Sequence, residues 1–177
     1  MYELFVLGQL MDKPMSGYKL KDILQRMVGE QRQISFGTIY PLLDKLAKKS
    51  FIEISIVDDD LKRTKKMAKI TAAGRQRFLT LMAKPVPLNG NTAFSYDVKF
   101  HNLHQVRPAL QTEILQAYKS HLQESLATAK SAVAYMRTTE IADIDFIDAR
   151  RVVKLSEMQD EAALKWANET LKELEND

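Results

Sequence analysis

Basic side chains follow one another closely between positions 62 and 77 of this 177-residue chain. This segment contains seven Lys or Arg residues and no Asp or Glu. Cationic groups at such density can neutralise the phosphates of DNA and release its counterions, which supplies much of the affinity for DNA. The alternative is a basic hairpin that is merely solvated. The seven residues are Lys62, Arg63, Lys65, Lys66, Lys69, Arg75 and Arg77.

Hydrogen-bonding side chains stand just before this segment, at the start of a helix predicted over residues 36–49. The first turn of a recognition helix is the part that reaches base edges in the major groove. We predict that Ser35, Thr38 and Tyr40 contact phosphates and base edges, with Lys45 flanking them. Tyr40 could equally be a core residue. On the basic hairpin, the predicted DNA contacts are Lys62, Arg63, Lys65 and Lys66.

Charge is divided unevenly along the chain. Residues 1–84 carry 16 Lys+Arg and 9 Asp+Glu, a balance of +7. Residues 85–177 carry 10 and 14, a balance of −4, which gives the total of +3. A basic first half indicates that this half meets a polyanion, although a chance asymmetry of the surface is the alternative.

The residue types give little support for catalysis or for metal binding. The chain has no Cys, which excludes disulfides, thiolate metal sites and Cys nucleophiles. His101 and His104 are three residues apart, but no third ligand follows at a compatible spacing. No glycine-rich phosphate loop or H-E-x-x-H motif occurs. We predict that the chain is not an enzyme and holds no cofactor or metal.

Targeting signals also give a negative result. No run of about 18 apolar residues occurs, which argues against a membrane span. The first residues lack the basic leader and the small-residue cleavage site of a signal peptide. The sequence therefore predicts a cytoplasmic protein without a membrane partner.

Apolar periodicity indicates the elements that would position the basic and hydrogen-bonding side chains. Ser16 is expected to cap a second helix and Gly29 to end it, while Ser35 or Thr38 caps the third. Pro41 should then fall near the first turn of the third helix, where its missing N–H costs least. The predicted order is helix, helix, helix, strand, strand, helix, over residues 2–12, 16–29, 36–49, 51–57, 65–71 and 71–82.

The predicted strand over residues 51–57 alternates apolar and polar side chains. Ile52, Ile54 and Ile56 should therefore face the core. Three consecutive Asp residues at 58–60 indicate the turn, and residues 65–71 return as the second strand. A small helix followed by a basic hairpin is typical of a winged helix-turn-helix.

The second half of the chain is predicted to be all-helical. Residues 84–92 form a linker, a short helix covers 93–104, Pro108 begins a long helix, and Asp143 or Asp145 begins another. The long amphipathic helices favour a homodimer, because three helices alone give a thin core; packing within one monomer is the alternative. The predicted dimer contacts are Leu155, Met158, Leu164, Trp166, Ala167, Leu171 and Leu174.

Four sequence blocks, in order and correctly spaced across most of residues 4–78, resemble the PadR family of transcriptional regulators. They are Val6-Leu7-Gly8-Gln9-Leu10, Ser16-Gly17-Tyr18-Lys19-Leu20, Gly37-Thr38-Ile39-Tyr40-Pro41-Leu42-Leu43-Asp44-Lys45-Leu46 and Ile70-Thr71-Ala72-Ala73-Gly74-Arg75. Ser16, Tyr18 and Lys19, in the second block, complete the predicted DNA contacts. The chain departs from the family at Ser50, where the family commonly has Gly.

The resemblance implies a mainly α protein with an α+β N-terminal part. A winged helix-turn-helix domain would cover residues 1–83, with the linker at 84–92 and an all-helical dimerisation and effector domain over 93–177. The implied function is a homodimeric regulator of transcription, with repression as the expected output and an effector such as a phenolic acid. The alternative is a winged-helix adaptor that binds a partner protein and has no specific DNA site.

Overall fold

The computed structural model describes residues 1–29, 33–58, 64–139 and 142–176. Lys62 and Arg63, two of the predicted contacts, lie outside these ranges. No helix in the described residues is long and apolar enough to cross a membrane. Within them the elements are α1 (Tyr2–Asp12), β1 (Met15–Ser16), α2 (Gly17–Val28), α3 (Phe36–Lys48), β2 (Ile52–Asp58), β3 (Thr64–Ile70), α4 (Ala72–Ala83), α5 (Thr92–Phe100), a 3-10 turn (Leu103–Gln105), α6 (Pro108–Met136) and α7 (Asp143–Asn176).

Two compact units make up the chain, residues 1–107 and residues 108–177. The first is a helical domain with a small antiparallel sheet, and the second consists of α6 and α7. This agrees with the predicted fold class. The predicted linker 84–92 and helix α5 both lie within the first unit, so this division differs from the predicted one. A functional boundary at residues 84–92 stays a prediction.

Helix α1 is the centre of the first unit. Phe5, Val6 and Leu7 are almost completely buried on it. Gly8 brings α1 against the segment after α5, because a Cβ at this position would lie 2.2 Å from Oδ1 of Asn102. The side chain of Asn102 is itself buried, and its Nδ2 donates to the Val98 carbonyl at 2.6 Å. A close approach between elements is therefore the reason for glycine at position 8.

Lys99 joins α5 to the end of α4. Its ammonium is buried and donates to the carbonyl oxygens of Met82 (2.7 Å) and Lys84 (2.5 Å). A cation at the C-terminal end of a helix satisfies carbonyls that have no partner within the helix. Burial lowers the pKa of Lys99 from its ordinary value of 10.5 to about 8. This buried link holds α5 in the first unit.

Ser16 caps α2 as predicted, since its Oγ accepts from the Lys19 N–H at 3.2 Å. At the other end of α2, one amide side chain links Gly29 to the segment before α3. Gln25, in the last half of α2, donates through Nε2 to the Gly29 carbonyl at 2.7 Å. Its Oε1 accepts from the Ile34 N–H at 2.8 Å. The same side chain thus holds both Gly29 and Ile34.

The sheet has the order β1-β3-β2 and is antiparallel. At the buried end of the sheet, Ile52 pairs with Ile70. Strand β1 pairs with the middle of β3, and the sequence did not predict this strand. The prediction that Ile54 and Ile56 face the core was wrong, because both are exposed. Of these three residues only Ile52 is buried, so the hairpin extends beyond the edge of the core, as a wing does.

Helix α3 begins at Phe36, as predicted, but Pro41 does not fall in its first turn. With Phe36 as its first residue, Pro41 stands at the sixth position, past the first turn. At this position proline removes the N–H that would donate to the carbonyl four residues earlier. The expectation that Pro41 lies near the first turn was therefore wrong.

The end of α3 is a Schellman turn that runs directly into β2. The Ser50 N–H donates to the Ala47 carbonyl at 2.9 Å, and the Phe51 N–H donates to the Leu46 carbonyl at 3.0 Å. Among the described residues Ser50 is the one non-glycine residue with a positive φ, 58°. The turn therefore requires the left-handed conformation that glycine adopts without strain.

The face of α7 that is buried within the chain includes Ala167 and Leu171. Leu155 and Met158 are exposed, at 59% and 56%. Leu164 follows Leu155 by nine residues and Ala167 follows Met158 by nine, which is about two and a half helical turns. The predicted dimer contacts therefore divide between two opposite faces. Ala167 and Leu171 belong to the internal packing of the single chain, contrary to the prediction that they form the dimer contact.

We expect Ser50→Gly to increase the free energy of unfolding by about 0.5–1 kcal/mol, because glycine relieves the cost of the left-handed conformation. Urea denaturation of the full chain measures this change. Lys49→Gly is the matched control: Lys49 has φ −88°, which any residue adopts, so this variant should be less stable than the original. A loss of stability in Ser50→Gly would contradict the assigned turn.

Candidate nucleic-acid interface

The first turn of α3 presents small polar side chains at the surface. Ser35 is the N-cap residue and is exposed, but it makes no side-chain capping hydrogen bond within the described residues. Its Oγ instead lies 3.4 Å from Oγ1 of Thr38, which is half-buried. Lys45 is exposed and follows Thr38 by seven residues, about two helical turns, so both lie on one side of α3. Three predicted contacts thus share one side of the helix.

Three aromatic rings form a row across α2 and α3. The rings of Tyr18 and Phe36 are stacked with centroids 6.2 Å apart, and those of Phe36 and Tyr40 are 5.8 Å apart. Their exposed fractions are 67%, 43% and 42% in the order Tyr18, Phe36, Tyr40. Tyr40 also packs against Gly17, where a Cβ would lie 2.9 Å from its Cε1. The two roles considered for Tyr40, core and surface, are therefore combined in one ring.

Cations stand beside this row at the start of α2. The Nζ of Lys21 lies 5.1 Å from the centroid of the Phe36 ring, a cation–π contact. Lys19 is exposed and its Nζ lies 3.6 Å from the carboxylate of Asp22, which also pairs with Arg26 at 3.3 Å. Exposed ion pairs of this kind contribute little to stability, so the Lys19 ammonium can exchange Asp22 for a phosphate.

On the wing, Lys65 and Lys66 are exposed on β3, opposite Val57 and Ile56 of β2. Lys69 is also exposed, nearer the core. The two arginines of the basic segment have other roles. Arg75 donates to the Met11 carbonyl at 3.4 Å, and the Arg77 Nε lies 2.7 Å from the Glu3 carboxylate. Arg75 and Arg77 thus stabilise the packing of α4 on α1, and the basic surface is smaller than the sequence suggested.

Strand β1 connects the wing to the helix-turn-helix. Ser16 pairs with Met67 in the sheet and is also the N-cap of α2, so one residue belongs to both parts. Tyr18 follows two residues later, at the edge of the aromatic row. The pairing of β1 with β3 therefore joins the strand that carries Lys65 and Lys66 to the start of the helix that carries Tyr18.

Sequence reasoning missed two residues of this surface, Phe36 and Lys21. Phe36 stands three residues before Ile39, which places it on the apolar side of α3 and predicts a core position. It is exposed because the first turn of α3 extends past the edge of the core. Lys21 carries no local signal of its role, because its place over the Phe36 ring depends on how α2 meets α3.

Residues 6–79 match the model of the transcriptional regulator PadR-like family. This match confirms the predicted resemblance for residues 6–79. The family consists of transcriptional regulators, which agrees with the prediction that the chain is not an enzyme. No curated protein sequence matches the chain. Gly8, Thr71 and Gly74, which lie in the quoted blocks, all occupy close contacts.

Solved structures of PadR-like proteins are similar to this one over nearly the whole chain. Bacillus subtilis PadR in complex with operator DNA has 17% identity and a TM-score of 0.46, with 96% of each chain covered. The same protein with p-coumaric acid has 17% identity and a TM-score of 0.42, covering 99% of this chain and 96% of that one. A PadR-like regulator from Bacillus cereus has 23% identity, a TM-score of 0.39 and 99% coverage of both.

Removal of the hydroxyl should change the free energy of unfolding differently at Ser16 and at Ser35, two serines of the predicted interface. Ser16→Ala should lower the free energy of unfolding by about 1 kcal/mol, because it removes the cap of α2. Ser35→Ala should change it by roughly 0.5 kcal/mol or less, because its Oγ does not cap α3. Urea denaturation compares the two variants. Equal losses of stability would contradict the difference in their roles.

Proposed function

We propose that the chain is a homodimeric transcriptional repressor that binds a pseudo-palindromic DNA operator. Each protomer would place the first turn of α3 in the major groove and the wing against the adjoining backbone. Two-fold symmetry would set the half-sites about 34 Å apart, or a multiple of that distance. The observation that carries the proposal is a PadR-like domain in which the exposed first turn of α3 and the exposed lysines of β3 belong to one compact unit.

The groups on this surface suit the two tasks of DNA recognition. Lysine side chains give affinity through phosphates, whereas the first turn of the recognition helix reaches base edges. Lys19, Lys45, Lys65 and Lys66 are exposed and suit the first task. Lys62 and Arg63 remain predicted contacts from the sequence. Ser16 is occupied as a helix cap, so its contribution to DNA binding would be to position α2.

Helix α7 supports the dimer through its exposed apolar face. Ile144, Ile147, Leu155, Met158 and Trp166 follow one another in steps of three, eight, three and eight residues, which keeps them on one side of the helix. The opposite side is buried within the chain. An exposed apolar stripe of this length marks a surface that a partner covers, and a second copy of α7 offers a matching stripe.

A small-molecule effector, such as the phenolic acid implied by the resemblance, would act by changing the spacing of the two DNA-binding domains. This requires different affinities for the two spacings, since a ligand that binds both equally shifts nothing. We propose both such an effector and a cytoplasmic location for this chain. Repression would then follow from occupation of a promoter by the form without effector.

An adaptor that binds a partner protein is the second candidate. Ile54, Ile56 and Val57 are exposed along β2, and this apolar strand favours a protein contact over a phosphate contact. The adaptor should capture a protein partner and leave the upstream DNA of its own operon unprotected. Footprinting on that DNA separates the two candidates, because a specific protected site is expected only of the regulator.

Changing Lys65 and Lys66 together to Gln should weaken the salt dependence of operator binding. Each lost phosphate contact reduces the slope of log affinity against log salt by about 0.9, so a reduction of up to about 1.8 is expected. Titrations at several salt concentrations measure the slope. Lys130→Gln with Lys172→Gln, two exposed lysines of the second unit, should leave the slope unchanged. If the slope of the Lys65/Lys66 variant equals that of the original chain, these two lysines do not contact DNA.

Leu155→Glu should convert the dimer to a monomer, because it places a charge in the middle of the exposed stripe of α7. Sedimentation velocity at micromolar concentration measures the change. Ser156→Glu introduces the same side chain one residue later, off the stripe, and should remain dimeric. A monomeric unmodified chain, or a Leu155→Glu variant that stays dimeric, would contradict this interface.

A further inference from the structure

The row of Tyr18, Phe36 and Tyr40 is an apolar surface at the place where a recognition helix meets bases. The three rings are contiguous, with centroid separations of 6.2 and 5.8 Å, and all are exposed. Single exposed aromatic residues are common, but a contiguous exposed patch indicates a binding surface. The ring of Phe36 lies at the centre of the row and has no polar atom.

The first turns of α3 offer few groups that could read bases through hydrogen bonds. Residues 35–41 include no Arg, Lys, Asn or Gln, the side chains that make bidentate contacts with guanine or adenine. Ser35 and Thr38 are close enough to share a hydrogen bond with each other, at 3.4 Å. The apolar edge of Phe36 is thus the most prominent feature of this turn.

We infer that Phe36 reads thymine in the operator, through contact of its ring with the C5-methyl group in the major groove. The thymine methyl is the one apolar group that base pairs present there, and phenylalanine is among the side chains that contact it. Lys21, over the Phe36 ring, is placed to contact a phosphate beside that base. Tyr18 and Tyr40 hold the Phe36 ring between them. The inference rests on the proposed DNA binding and names the base feature that gives it specificity.

Replacement of thymine by uracil tests the contact, because it removes only the methyl group and keeps the base pair. Each thymine of the footprinted operator is changed in turn, and the full chain is titrated with each duplex by fluorescence anisotropy. We expect about a four-fold loss of affinity at one or more thymines in each half-site, the effect of one buried methyl group. Phe36→Ala should bind the thymine and uracil duplexes equally.

Two further variants serve as controls. Phe36→Leu keeps an apolar side chain and should retain part of the discrimination. Leu88→Ala truncates another exposed apolar side chain of the first unit and should retain all of it. If Phe36→Ala binds no DNA, the Leu variant decides, since reduced discrimination supports the inference and full discrimination overturns it.

The other outcomes separate this inference from the proposed function. No footprint would overturn both. A specific footprint without any uracil effect would overturn the reading of thymine and leave the regulator intact. If Phe36→Ala still distinguishes the thymine duplex from the uracil duplex as the original chain does, another residue contacts the methyl group and the inference is overturned. A single-stranded competitor that binds as tightly as the duplex would overturn the inference, because the rings would then stack on unpaired bases.

Discussion

The junction between Ser50, Phe51 and Thr71 is the constraint on which the arrangement of the proposed DNA-binding surface depends. The Thr71 hydroxyl donates to the Ser50 carbonyl at 2.7 Å and accepts from the Gly74 N–H at 3.0 Å, so one side chain joins the end of α3 to the start of α4. The Thr71 N–H donates to the Phe51 carbonyl at 3.1 Å. A Cβ at Gly74 would lie 2.0 Å from that carbonyl oxygen, so only glycine permits this approach. The exit of α3, the base of the wing and α4 are therefore held at one point.

This junction also explains how a serine is retained at a position that favours glycine. A left-handed non-glycine residue costs about 1–2 kcal/mol and persists where surrounding contacts over-determine the backbone. At Ser50 those contacts are the two Schellman hydrogen bonds and the bond from Thr71. The local strain is thus offset by bonds that also orient the wing. On the opposite edge of the sheet, β1 gives a second attachment, so the wing is fixed on both sides.

Elements whose signals are local could be predicted from the sequence, and arrangements that depend on distant contacts could not. The cap Ser16 was identified because a capping side chain acts within three residues. Strand β1 has two residues and exists only through its pairing with β3, so no local pattern reveals it. The apolar period of α3 places Phe36 on the same side as the buried Ile39 but cannot show where the core ends, which is why the exposure of Phe36 was missed.

The same limit applies to α7, where two apolar faces share one helix. Period 3.6 shows which residues share a side, yet it does not say which side meets the rest of the chain and which meets a second copy. Leu155 and Leu164 are both apolar and are nine residues apart, so they are equally good candidates until α6 is placed. Once the side of Ala167 is buried within the chain, the side of Leu155 remains exposed. A dimer formed there would join two DNA-binding domains through long, stiff helices. The separation of the two α3 helices would then be set by the second unit, while base preference would be set by the first turn of α3.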